Sequence, residues 1–199
     1  MKTIGITGGV GAGKSAVLNY LKEKYDACIL VADELAKELE LPGGDCYEAL
    51  REAFGDKILA ADGQLDKKAF SQLIFSDEEM LKKANGIIHP AVKKEILARI
   101  KEEEEAGRGL FVLEAALLIE DGYKEILDEL WYIYTDTEER FRRLEQSRGY
   151  SREKSMSIMR RQLSDIEFRK YCDFIIDNSG DVSETECQID ALLYNTSFS

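Results

Sequence analysis

The chain has 199 residues, 44% of them hydrophobic and 33% charged, which suits one substantial core with smaller insertions and argues against disorder. Its net charge of −12 is the wrong sign for a protein that grips nucleic acid by its phosphates, and no apolar run approaches the roughly 20 residues that cross a bilayer. Four scattered cysteines without a CxxC pair (Cys28, Cys46, Cys172, Cys187) and a single histidine, His89, argue against a disulfide framework, a zinc site and a Ser-His-Asp triad with any choice of histidine.

The N-terminal MKTIGITGG lacks the apolar stretch and small-residue cleavage site of a signal peptide, so a cytoplasmic protein with reduced thiols is expected. TIGIT (3–7) is an apolar, β-branched run bounded by glycine and reads as a buried strand. Lys14 to Tyr25 follow helical spacing, with Val17, Leu18 and Leu21 on one face. ACILVAD (27–33) reads as a second strand ending on an aspartate, and ELAKELEL as a helix stopped by Pro42-Gly43-Gly44. Residues 45–106 read as mostly helical, with a turn at Asp62-Gly63 and a helix start at Ser76-Asp77-Glu78-Glu79. His89-Pro90 is expected to break or kink the helical run beyond it, and EEEE (102–105) reads as a solvated helix face ending at Gly107. GLFVLEA (109–115) and LWYIYTD (130–136) are the third and fourth strands; EERFRRLEQSRG and REKSMSIMRRQLSDIEFRK are two Arg-rich helical segments around Gly149. DFIID (173–177) is the fifth strand and 183–194 a closing helix.

Strands that alternate with helices, most of them continuous apolar runs, predict an α/β fold with a five-stranded parallel sheet covered on both faces. The helical stretch between strands two and three is too long for a simple crossover and reads as an insertion. The resulting division is a core of residues 1–40, 108–136 and 171–199, a helical insertion of 41–107, and a smaller Arg-rich insertion of 137–170.

Between the first strand and the first helix stands GGVGAGKS: Gly8, four residues, Gly13, Lys14, Ser15. This is the phosphate-binding loop pattern in the strand–loop–helix context it requires. Backbone amides wrap a β-phosphate where side chains would block its approach, and the helix adds its positive end and unpaired N–H groups. Gly9, Gly11, Ala12, Gly13, Lys14, Ser15 and Ala16 are therefore the candidate nucleotide-binding positions. Lys14 can bridge the β- and γ-phosphates, and Ser15 can ligate Mg²⁺.

Three further features narrow the chemistry. Asp33, just past strand two, is either the carboxylate that orients an acceptor hydroxyl or the N-cap of the helix ELAKEL. Glu114, ending strand three, either holds a Mg²⁺ water or supports the loop by a hydrogen bond. Eight of the eleven arginines fall between Arg140 and Arg169, where nine Arg/Lys face four Asp/Glu. Of these, Arg140, Arg143 and Arg148 are expected to clamp transferring phosphate, while Arg142, Arg152, Arg160 and Arg161 read as a solvated basic surface. A kinase for a nucleoside or another small hydroxyl acceptor shares these features. A nucleotide-dependent switch is disfavoured by the lack of an NKxD-like guanine-reading motif.

The sequence resembles the dephospho-CoA kinases over nearly its whole length. The resemblance rests on ITGGVGAGKS, VADELAKEL, GQLDKKAFSQLIF, ANGIIHPAVKKEI, ALLIEDGY, and RLEQSRGYSREK followed by Gln162 and CDFIIDNSG. It implies a P-loop kinase with a helical CoA-binding insertion and an Arg-rich lid, using ATP and Mg²⁺ to phosphorylate the 3′-hydroxyl of dephospho-CoA, the last step of coenzyme A biosynthesis. It further implies Asp33 facing the acceptor hydroxyl, Arg140 and Arg148 at lid positions that meet ATP, and His89 as a histidine that positions the insertion. Lys14, Asp33 and Arg140 are the expected catalytic residues, with Ser15 and Glu114 the expected metal-facing ones; a small-molecule substrate and a monomer or weak homo-oligomer are expected, with neither nucleic acid nor membrane as partner. The chain departs from the family's pattern at Val31, Ala16, Lys37, Ala116 and Ile158. At Lys37 a point-charge ammonium replaces a bidentate guanidinium.

Overall fold

Apolar residues fill the strand that lies at the middle of the sheet, because both of its faces and both of its edges are covered. In the computed structural model, which describes residues 1–196, five strands form one sheet: β1 (Lys2–Thr7), β2 (Cys28–Val31), β3 (Leu110–Glu114), β4 (Glu129–Tyr134) and β5 (Phe174–Asp177). Their order is β2-β3-β1-β4-β5. β1 runs parallel to β3 on one side and to β4 on the other, with Ile4 opposite Val112 and Ile6 opposite Trp131; β4 runs parallel to β5. Ile4 and Ile6 are fully buried, as expected of a parallel sheet whose crossovers cover it on both sides.

The chain forms two compact units, one of Met1–Ile29 with the residues from Glu103 onward, the other Leu30–Glu102. In the first, α1 (Lys14–Tyr25) and α9 (Val182–Thr196) contribute Val17, Leu21, Ile189 and Leu193 to a core with Val112, Trp131, Ile133 and Ile176. α6 (Thr137–Arg148), α7 (Arg152–Met159) and α8 (Asp165–Tyr171) lie between β4 and β5 in the chain. Because the strands are parallel, the segments after β1, β3, β4 and β5 all emerge at one edge of the sheet. That edge is where ligands of open α/β sheets bind.

The second unit holds α2 (Ala32–Leu39), α3 (Asp45–Phe54), α4 (Lys67–Phe75) and most of α5 (Glu78–Glu105). Its core is Cys46, Leu50, Phe54, Ile58, Phe70 and Ala84, with Phe54 and Phe70 edge to face at 5.6 Å between centroids. Asp66 caps α4 by accepting from the amides of Lys68 and Ala69. The expected turn at Asp62-Gly63 lies between Leu59 and Leu65, which form an isolated antiparallel bridge.

Three expectations need correction. α5 continues through Pro90 instead of stopping there. Ala84, Ile87, Ile88 and Ala91 pack on the same core from both sides of the proline, and this burial outweighs the roughly 3 kcal/mol a proline costs inside a helix. The second Arg-rich segment is two helices, because Ser164 and Glu167 form a capping box that starts α8 afresh. β2 ends at Val31 and α2 begins at Ala32, so Asp33 lies in the first turn of α2 and Val31 is its N-cap.

Among the described residues no helix is long and apolar enough to cross a membrane. The cysteines differ in burial. Burial pushes the Cys46 thiol up to about 11 and the Cys172 thiol up to about 12, whereas Cys187 is exposed on α9. The thiolate is the nucleophile, so iodoacetamide at pH 8 is expected to alkylate Cys187 in the folded protein and to spare Cys46 and Cys172. Peptide mass spectrometry checks this, and early labelling of Cys172 would contradict it.

Candidate functional site

The end of β1 leads straight into the glycine loop. Thr7 is the last strand residue and Lys14 the first helical one, so residues 8–13 must reverse direction within a few ångströms. Ala12 N–H donates to Gly9 O at 3.1 Å and Ala16 N–H to Gly13 O at 3.0 Å, which closes the turn onto the helix. Gly13 is the N-cap of α1 at φ 81°, a left-handed conformation that side chains resist. The first turn of α1 leaves amides without intrahelical acceptors, directed at the hollow of the loop.

Lys14 is drawn back over this loop. Its Nζ donates to Gly8 O at 2.9 Å and stands 3.3 Å from Glu114 Oε1. Both side chains are largely buried. Glu114 thus reaches from the end of β3 to the loop lysine, while Ser15 exposes its hydroxyl on the first turn of α1. A hydroxyl and a carboxylate oxygen at the loop are hard donors of the kind Mg²⁺ accepts, since that ion takes one or two protein oxygens and completes its shell with water and phosphate. Among the described residues no three His, Cys, Asp or Glu side chains gather into an all-protein cage.

The Arg-rich insertion reaches the same loop through α6. Arg140 Nε donates to Val10 O at 2.8 Å, and its Nη2 lies 3.4 Å from Gln162 Oε1. Gln162 Oε1 also accepts the Val10 N–H at 2.9 Å. A Cβ on Gly9 would overlap the Arg140 guanidinium, so the glycine there makes room for the arginine. Burial lowers the Arg140 pKa, yet a guanidinium remains charged. Arg143 donates from Nη2 to Asn178 O at 2.8 Å and from Nε to Glu139 Oε1 at 2.8 Å. Hydrogen bonds from Arg142 first, then Arg143, hold the Glu139 carboxyl down to about 2.

The structure therefore brings Arg140 and Arg143 against the loop. Arg148 sits exposed at the end of α6, its guanidinium 5.9 Å from the Tyr150 ring, away from the contacts that hold the loop. Arg142 and Arg152 pair with Glu139 and Glu138 on the surface, as expected for a solvated face. Residues singled out only within longer motifs prove to touch the loop directly. Gln162 is one, and Asn178, inside CDFIIDNSG, is another. Thr135, expected only as part of the fourth strand, follows β4 and stands with Oγ1 2.9 Å from Ala12 O.

Asp33 lies in the second unit. It is exposed on the first turn of α2 and lines a cavity of about 320 Å³ together with Lys37, Glu40, Lys67, Phe70 and Ile88. Its side chain does not cap α2. Burial raises the Glu40 carboxyl, with Lys67 and Lys37 opposing. The wall carries two ammonium groups, Lys37 and Lys67, beside the carboxyl groups of Asp33 and Glu40. His89 is half-buried on α5, next to the cavity-lining Ile88.

A family model for dephospho-CoA kinases matches residues 2–184. The dephospho-CoA kinase of Carboxydothermus hydrogenoformans is 38% identical over 190 residues, covering 96% of this chain and 92% of the relative. Among solved structures, TT1252 from Thermus thermophilus superposes with a TM-score of 0.81 at 31% identity, covering 98% of this chain and 97% of that one. The dephospho-CoA kinase from Campylobacter jejuni superposes with a TM-score of 0.72 at 23% identity, covering 99% and 98%; at that identity the likeness is one of fold.

Proposed function

The chain belongs to the dephospho-CoA kinase family and phosphorylates dephospho-CoA in coenzyme A biosynthesis; from that premise we propose how its residues divide the work, with ATP as donor and the 3′-hydroxyl as acceptor. The observation that carries the reading is the loop at the end of β1, closed on itself, with Lys14 folded over it between Gly8 O and Glu114.

In this reading the amides of the loop and of the first turn of α1 hold the nucleotide's phosphate oxygens. Lys14 exchanges its bond to Gly8 O for the bridge between the β- and γ-phosphates. Ser15 and Glu114 would hold Mg²⁺, directly or through water, and the ion would supply positive charge to offset that of the phosphates. Asp33 orients the acceptor hydroxyl and takes its proton as the new bond forms. Arg140 places its guanidinium where negative charge develops, with Arg143 beside it, and Arg148 joins them when the lid segment 137–170 closes. Lys37 and Lys67 offer the cavity of the second unit a wall for the substrate's own phosphate groups. Positioning and electrostatics account for most of the rate.

The test is a coupled ADP-release assay on the purified chain with dephospho-CoA, with and without Mg²⁺, beside a panel of nucleosides. ADP release that depends on both dephospho-CoA and Mg²⁺ is expected. A preference for nucleosides would replace the acceptor, and ADP release indifferent to Mg²⁺ would remove Ser15 and Glu114 from the metal role.

A further inference from the structure

The motif CDFIIDNSG ends at the edge of the sheet where the phosphate loop sits, and its asparagine reaches the loop from behind. Asn178 is 5% exposed, and its Nδ2 donates to Ala12 O at 2.8 Å. Its other side-chain atom, Oδ1, accepts from the Thr185 hydroxyl at 2.9 Å, and Thr185 is 4% exposed. Thr185 lies on α9 and touches no atom of the loop in these bonds. The main chain of Asn178 is tied at both ends: its N–H donates to Tyr134 O at 2.8 Å and its carbonyl accepts from Arg143 Nη2 at 2.8 Å. Thr135 Oγ1 stands 2.9 Å from Ala12 O, 2.8 Å from Tyr134 O and 3.3 Å from Asn178 O, so it has one proton for three acceptors. Asn178 is therefore the fixed donor to Ala12.

The Ala12 carbonyl decides which way the amide faces, and the Thr185 hydroxyl, which also lies 3.3 Å from Asp177 O, meets Oδ1 at the shorter distance of 2.9 Å. An amide rotated by half a turn would set Oδ1 against the Ala12 carbonyl, two acceptors face to face in a buried place, which is unfavourable. The consequence reaches the ligand side. A trans peptide carries its C=O and the following N–H on opposite sides. Holding Ala12 O against Asn178 turns the Gly13 N–H away from that bond. Gly13 also has no room for a side chain, since a Cβ there would run into Asn178 Nδ2.

We propose that Asn178 and Thr185 are positioning residues for the phosphate loop: Thr185 anchors the Asn178 amide at Oδ1, and Asn178 holds the Ala12 carbonyl so that the Gly13 amide faces the nucleotide's phosphates. The proposal rests on the reading that this loop binds ATP. It gives a role to two residues that touch neither substrate. Without them the loop keeps its glycines and Lys14, but the Ala12 carbonyl keeps only the shared Thr135 hydroxyl and the anion site is less well pre-formed.

Calorimetric titration of the full chain with ATP, alongside KM values for both substrates, tests it. Thr185→Val keeps the shape and removes the donor; Thr185→Ser keeps the donor. Thr185→Val is expected to weaken ATP binding about tenfold, with KM for dephospho-CoA unchanged and Thr185→Ser within about twofold of wild type. Wild-type ATP binding by Thr185→Val would overturn the proposal, as would a Thr185→Ser variant as weak as Thr185→Val. So would a joint rise of both KM values, which is the mark of general loosening. Asn178→Asp puts an acceptor against Ala12 O and is the independent second variant, informative even if Thr185→Val does not fold. It is expected to lose more ATP affinity than Thr185→Val, and unchanged affinity would overturn the proposal as well. If wild-type chain fails to bind ATP, the nucleotide reading itself fails, which is a separate outcome.

Discussion

Lys14→Ala is expected to lower kcat/KM by about 10³-fold and to weaken ATP binding at the same time. The lysine places its positive charge over the glycine loop, with Nζ 2.9 Å from Gly8 O and 3.3 Å from Glu114 Oε1. Both partners are acceptors that a phosphate oxygen can replace, so the ammonium is held ready without being spent on a permanent bond. In the proposed mechanism its charge meets the nucleotide in the ground state and the transferring phosphoryl group in the transition state, so binding and turnover are expected to fall together. The loss should leave the fold intact, because Lys14 faces the loop and contributes nothing to the core formed by Val17 and Leu21 on the same helix. Titration with ATP and steady-state kinetics check it. Unaltered ATP affinity with reduced turnover would confine Lys14 to the chemical step, and unaltered kinetics would remove it from the site.

Asp33→Asn is expected to leave ATP binding unchanged and to lower kcat by roughly 10²-fold or more. The substitution keeps the size and the hydrogen-bonding reach of the side chain and removes its capacity to take a proton. A structural explanation has little room. Val31, not Asp33, stands at the N-cap of α2, and Asp33 is exposed in the first turn. A carboxylate there stabilises the helix through its dipole by about 0.3–1 kcal/mol, so the melting temperature should move little while turnover collapses. Single-turnover kinetics separate the two, and near-normal turnover would take Asp33 out of the mechanism.

The phosphate loop was legible because everything it needs is local. An apolar run, glycines at the turn and a helical pattern after Lys14 occupy one short stretch, and β1 and α1 form where the spacing places them. The basic island was legible as charge, but its division of labour was not. Arg140 and Arg143 meet the loop because α6 presents them there, while Arg148, on the same helix, ends beside Tyr150. Local propensity misled at Pro90, where core contacts on both sides carry the helix through. It also misled at 152–170, where the Ser164–Glu167 box, visible as S-x-x-E, restarts the helix.

Strand periodicity, glycine spacing and helix starts depend on near neighbours in the chain. The order of amino acids was therefore enough for the class of fold and for placing the glycine loop with its lysine and serine between β1 and α1. What holds that loop in shape became visible only in the folded chain. Val10 is fastened by Arg140, 130 residues away, and Ala12 by Asn178, 166 residues away. Those bonds exist because parallel strands deliver distant chain segments to one edge of a sheet, and hydrogen bonding there depends on distances of about 3 Å in space, which no spacing along the chain encodes.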